Sequence, residues 1–107
     1  MIGARPEPIR AEMDPVGYLE TSMSVGQVTT IPIAELPNAD LLVIVSYTGG
    51  PFRFRVDGQA PGPTSGWAAE DGDTDDLNRY EAQKWAACLA QGALAGTVRI
   101  GIYRRRR

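Results

Sequence analysis

The run that most narrows the fold of this chain is Phe52-Arg53-Phe54-Arg55-Val56-Asp57-Gly58, followed at once by Gln59-Ala60-Pro61-Gly62-Pro63-Thr64. Strand side chains alternate between two faces, so Phe52, Phe54 and Val56 fall on one side and Arg53, Arg55 and Asp57 on the other. This pattern predicts a half-buried strand whose arginines form its solvated face. Asp57-Gly58 then supplies a turn. The Pro61-Gly62-Pro63 run fixes φ and withdraws the donors that a longer ladder would need.

Strands are expected on both sides of this stretch. Leu41-Leu42-Val43-Ile44-Val45 is continuously apolar and β-branched, which predicts a core strand covered on both faces. Thr48-Gly49-Gly50-Pro51 reads as a turn, and the strand from Phe52 is expected to return antiparallel beside the core strand as a hairpin. Upstream, Ile9 to Met13 and Tyr18 to Met23 alternate as two short strands. A third, Gln27 to Ile33, contains Pro32, which places it at a sheet edge or a bulge. Residues 34–40 read as a loop with room for one helical turn. Val98, Ile100 and Ile102 alternate with Arg99, Gly101 and Tyr103 in a final strand. Asn78 to Gln91 is open between two readings. Asp73 or Thr74 as a cap, plentiful alanine and Gly92 at the far end favour a helix, while a strand from about Gln83 to Leu89 also fits.

The 107 residues make one domain, able to bury roughly 65% of its unfolded surface. Twelve glycines and eight prolines indicate many turns between short strands. The expected fold is all-β: an antiparallel β-sandwich or jelly-roll-like single domain with at most one short helix. Its parts are an extended N-terminal arm (1–8), the sandwich (9–103) and a basic tail (104–107). Such an arm could lie across a neighbouring subunit.

Composition removes several chemistries. With no histidine, the commonest general base is missing, and Ser-His-Asp and Cys-His arrangements are excluded. The single cysteine, Cys88, can form neither an internal disulfide nor a zinc site, and reads as a small buried hydrophobe. Phosphate-binding and dinucleotide-binding glycine patterns do not occur. Asp71, Asp73 and Asp75 have the spacing that begins a calcium loop, but Asp76 stands where such a loop needs glycine and Ala82 where it needs glutamate. No cofactor, metal or enzymatic activity is expected. A net charge of −2 gives no field that would draw the chain to nucleic acid or an anionic membrane, and no apolar run reaches the length of a span. Arg104 to Arg107 form the strongest local charge feature, suited to an acidic protein surface. Trp67 and Trp85 read as core or interface anchors.

The residues Phe52 to Gly58, Pro63-Thr64, Gly66-Trp67, Gly72 and the closing Val98-Arg99-Ile100-Gly101-Ile102-Tyr103 together resemble a pattern of small structural proteins of tailed bacteriophages. These proteins carry arginine ahead of an Asp-Gly strand end, a Pro-Thr turn, a glycine beside a hydrophobic residue, and a last alternating strand ending in tyrosine. The likeness spans about Val43 to Tyr103. It implies a β-sandwich or jelly-roll-like virion protein and makes 83–89 a strand. Within it, Asp57 would satisfy turn amides and Pro63 would fix the corner. Two departures, the lengthened turn Gln59 to Gly62 and the acidic loop after Trp67, are where adaptation to a particular neighbour is expected.

The function this implies is a capsid decoration or cement protein on the virion surface, made in the host cytoplasm. It would bind the major capsid protein and associate as a homodimer or trimer. The alternative is a head or tail fibre, receptor-binding or head-completion module. Partner contacts are expected at Arg5, Trp67, Asp71, Asp73, Arg104, Arg105, Arg106 and Arg107.

Overall fold

A computed structural model of the chain describes residues 13–32 and 40–105. The expected arm, the strand reading over residues 9–12, the loop at 34–39, Arg5, Arg106 and Arg107 lie outside the described residues. In chain order the elements are β1 (Met13–Met23), β2 (Val28–Thr30), β3 (Leu41–Gly49), β4 (Phe52–Arg55), β5 (Trp67–Ala69) and β6 (Thr74–Asn78). A single helical turn, α1 (Arg79–Ala82), then leads to β7 (Ala86–Leu89) and β8 (Gly96–Arg105).

The strands form two four-stranded antiparallel sheets, with orders β1-β8-β3-β6 and β2-β7-β4-β5. The pairing is nested: β1 with β8, β2 with β7, β3 with β6 and β4 with β5. The chain is thus one long antiparallel ribbon rolled into a sandwich, which is the eight-stranded jelly roll. The expected fold class holds.

The expected hairpin does not. β3 is flanked by β8 and β6, and β4 lies in the opposite sheet between β7 and β5. The Gly49-Gly50-Pro51 corner carries the chain from one sheet to the other. Gly49 and Gly50 take positive φ (79° and 87°), and a Cβ on Gly50 would lie 2.5 Å from the Phe52 ring. Two consecutive apolar faces can be buried side by side in one sheet or face to face in two, and alternation is the same in both cases. The true hairpin is β4–β5, whose loop is the Asp-Gly and Pro-Gly-Pro stretch at the tip of the ribbon. Gly62 and Ser65 exchange backbone hydrogen bonds there (3.0 and 3.1 Å), and Gln59 N–H donates to Asp57 Oδ1 (3.1 Å).

Other elements differ in extent. The two N-terminal strands are, over the described residues, one strand, with a register shift between Pro15 and Gly17. β2 is an edge strand of three residues, and Ile31 just after it is buried. Part of the acidic run is itself strand, as β6 pairs with β3 and turns Leu77 into the core. The helix at 78–91 shrinks to one turn, capped by Asn78 and not by Asp73 or Thr74. Asn78 Oδ1 accepts from Glu81 N–H (2.8 Å) while Glu81 Oε1 accepts from Asn78 N–H (2.9 Å), a reciprocal capping box. The segment after it is the strand β7.

The core lies between the sheets. Val43, Val45 and Tyr47 of β3 and Val98, Ile100 and Ile102 of β8 face Phe52, Ala87, Leu89 and Trp85 from the other layer. Each large apolar side chain buried there contributes about 1.5–3 kcal/mol. The polar atoms in this interior are paired. Trp85 Nε1–H donates to the Tyr47 hydroxyl (3.2 Å), which donates to Asp75 Oδ2 (3.0 Å), so a hydrogen-bonded chain links the two layers.

Candidate functional site

On the solvent side of the β1-β8-β3-β6 sheet the register sets out rows of side chains. Tyr18 lies beside Gly101, which lies beside Ile44; the next row is Glu20, Arg99, Ser46 and Thr74. Along β8 itself, Arg99 and Tyr103 stand two residues to either side of Gly101 on the same face. A strand interior normally carries a side chain at such a position. Here there is none, and Gly101 lies in the lining of a depression of about 220 Å³.

Gly101 has no backbone need to be glycine, because its φ lies outside the positive range. A Cβ there would meet Tyr103 Cε1 at 3.1 Å, so the tyrosine ring leans into the space that a side chain would take. Ile44 is only 7% exposed although it points away from the core, and it forms an apolar part of the floor. Tyr18 is 61% exposed at the rim.

The polar groups around this hollow are linked. The Tyr18 hydroxyl donates to Glu20 Oε1 (2.9 Å), and this bond to a carboxylate holds the phenol above its ordinary pKa. Glu20 Oε1 lies 3.5 Å from Arg99 Nε, and Arg99 Nη1 donates to Thr48 Oγ1 (3.0 Å). Half-exposed pairs of this kind add no more than about 1 kcal/mol to stability. Their effect here is to fix the guanidinium and the carboxylate beside each other at the border of the hollow, while Asp76 stands next to Ile44 in the adjoining row.

Of the residues expected from the sequence to contact partners, the described ones, Trp67, Asp71, Asp73, Arg104 and Arg105, are not brought together. Asp71 and Asp73 lie in the loop before β6, at the end where Gly49 pairs with Gly96. Arg104 and Arg105 occupy the other end of β8, where Arg104 pairs with Leu41. Nine strand residues at 3.2–3.4 Å each separate the two, about 30 Å. Arg105 Nε is 3.9 Å from Asp40 Oδ2. Trp67 sits on the edge strand β5 opposite Phe54 and is 66% exposed, whereas Trp85 is 1% exposed.

The acidic residues serve the fold. Asp71 Oδ1 accepts from Gly49 N–H (2.8 Å), Asp73 Oδ2 from Glu70 N–H (2.7 Å), and Asp75 from Tyr47. Among the described residues no three Asp, Glu or Cys side chains gather as metal ligands, and no helix is long and apolar enough to cross a membrane. Cys88 is buried on β7, and burial raises its thiol pKa.

Of the two arginines expected to be solvated, Arg55 forms an ion pair with Asp57. That hydrogen bond, together with the Gln59 amide, lowers the Asp57 carboxyl to about 2. Arg53 is half-buried, with Nη1 donating to the Gly66 carbonyl (3.2 Å) and Nε enclosed without a partner.

Sequence reasoning named none of the residues of the hollow as a site. One signal was present: an outward glycine between an arginine and a tyrosine in an otherwise regular alternating strand. The partners Tyr18, Glu20, Ser46 and Thr74 come from three other strands and depend on the sheet order. Against protein-family models, curated proteins and solved structures, the chain gives no match.

Proposed function

We propose that this chain is a structural protein of a tailed-phage virion, a decoration or cement protein that binds the lattice of the major capsid protein. It acts by binding and not by catalysis, associates as a dimer or trimer, and stabilises the shell because a ligand that binds only the assembled form favours that form. The observation that carries this reading is the nested strand order. The jelly roll recurs in viral capsid and lectin domains, and here it coincides with the phage-like pattern along β4, the β4–β5 loop and β8. Fold alone does not fix function, so the sequence likeness is the second support.

The test is the copy number of this chain in purified particles, with the heat and osmotic resistance of particles lacking it. A cement protein is present at a level comparable with the major capsid protein, and its removal lowers resistance. Unchanged resistance would overturn the reading. A second reading, a receptor-binding or fibre module, is favoured by the exposure of Trp67, an aromatic at a sheet edge. A few copies at one vertex or at the tail would select it.

A further inference from the structure

We propose that the hollow over Gly101 is a binding site for one neutral sugar ring, such as a single residue of a surface glycan. This inference does not depend on where in a particle the protein sits.

Four features of the hollow point to this ligand. The first is the glycine itself. Glycine inside a strand weakens it and often marks close approach by a ligand or another chain. Gly101 has ordinary backbone geometry, and the place of its missing side chain is bordered by the edge of the Tyr103 ring, the two together lining a hollow that opens to solvent.

The second is size. At about 220 Å³ the hollow is smaller than the roughly 300 Å³ at which pockets for drug-sized ligands begin, so it suits a single ring and not a longer ligand buried whole.

The third is the surface chemistry. A pyranose has apolar C–H faces and a rim of hydroxyls that both donate and accept. The Tyr18 and Tyr103 rings with Ile44 supply apolar surface, and Ser46 and Thr74 supply hydroxyls.

The fourth is charge. Arg99 lines the hollow, Glu20 lies beside its guanidinium at the border, and Asp76 stands next to Ile44 in the same row, so carboxylates flank the one lining cation. A phosphate or carboxylate ligand would be drawn by the guanidinium and repelled by the carboxylates. A neutral polyol can accept from the guanidinium and donate to the Ser46 and Thr74 hydroxyls without that repulsion.

The test is an amide NMR titration of the full chain with methyl glycosides of glucose, galactose, mannose, N-acetylglucosamine and rhamnose, and with inorganic phosphate. The expected result is saturable shifts at Ser46, Thr74 and Gly101 with at least one glycoside and none at these positions with phosphate. Tyr18→Ala removes an exposed ring and should weaken that binding by about tenfold, equivalent to the upper range for one aromatic contact. Gly101→Val fills the hollow with a better strand former and should abolish binding while the remaining spectrum shows the same fold. If Gly101→Val disturbs the fold, Tyr18→Ala decides alone. No shift with any glycoside, shifts with phosphate only, or shifts unaffected by Tyr18→Ala would each overturn the proposal.

Discussion

Gly96 shows how closely a single residue can be held. A Cβ there would lie 2.4 Å from Phe52 Cζ and 2.9 Å from the Gly50 nitrogen, so the Phe52 ring occupies the place of a side chain. Gly96→Ala must displace a fully buried ring or the corner that it seals. Overpacking of this kind costs about 1–3 kcal/mol, and chemical denaturation should show the loss. Asp75 makes a different prediction, because desolvation raises its pKa above the ordinary 3.8 against the opposing hydrogen bond from Tyr47, with Asp73 and Asp76 adding to the rise. A carboxyl raised in the folded state favours folding below its unfolded value and loses that contribution as pH climbs through the folded one. Asp75→Asn keeps an acceptor for Tyr47 without the charge. Its thermal midpoint should equal or exceed the parent's at neutral pH, and the gap should close on acidification. Asp57 has the opposite sign. Its lowered pKa gives a contribution present above 3.8 and lost as pH falls through about 2, so Asp57→Asn should cost stability only on the neutral side.

At the scale of elements, α1 is too short to persist on its own propensity, since a helix nucleus is costly until many turns repay it. Its capping box and the burial of Ala82 hold it. Asn78→Ala removes the cap and should destabilise the protein by about 1 kcal/mol in denaturant melts. The same segment shows why the sequence could be read only in part. Cap residues and alanines are local signals and misplaced the helix: the cap is Asn78, and Ala86 and Ala87 lie in β7, which forms because its backbone is needed between β2 and β4, a demand made by distant residues. Strands whose alternation is strong, β4 and β8, were legible with their buried faces correct. β6 was hidden because Leu77 is its one buried apolar residue, with acidic neighbours that suit an edge strand. The sheet partner of β4 was not legible, as alternation specifies a face and not a neighbour. The hollow was hidden for the same reason: only its β8 residues are consecutive in the alternating pattern.

For the whole molecule, both layers share one core, and the Trp85–Tyr47–Asp75 chain ties them together. Among the described residues neither sheet has a second interior of its own. Unfolding should therefore be a single cooperative event. Tryptophan fluorescence, which reports on the enclosed Trp85 as well as the exposed Trp67, and backbone circular dichroism should give coincident thermal transitions; separate midpoints would show that the layers part independently.

The nested pairing has a further consequence at the open end of the ribbon, where Met13 is the ladder partner of Arg105. Whatever chain precedes β1 and whatever follows β8 must start from neighbouring points on one corner. Two such extensions share an origin, so when one is held by a surface the other is kept at high effective concentration above it. Two weak tethers can then act as one strong one.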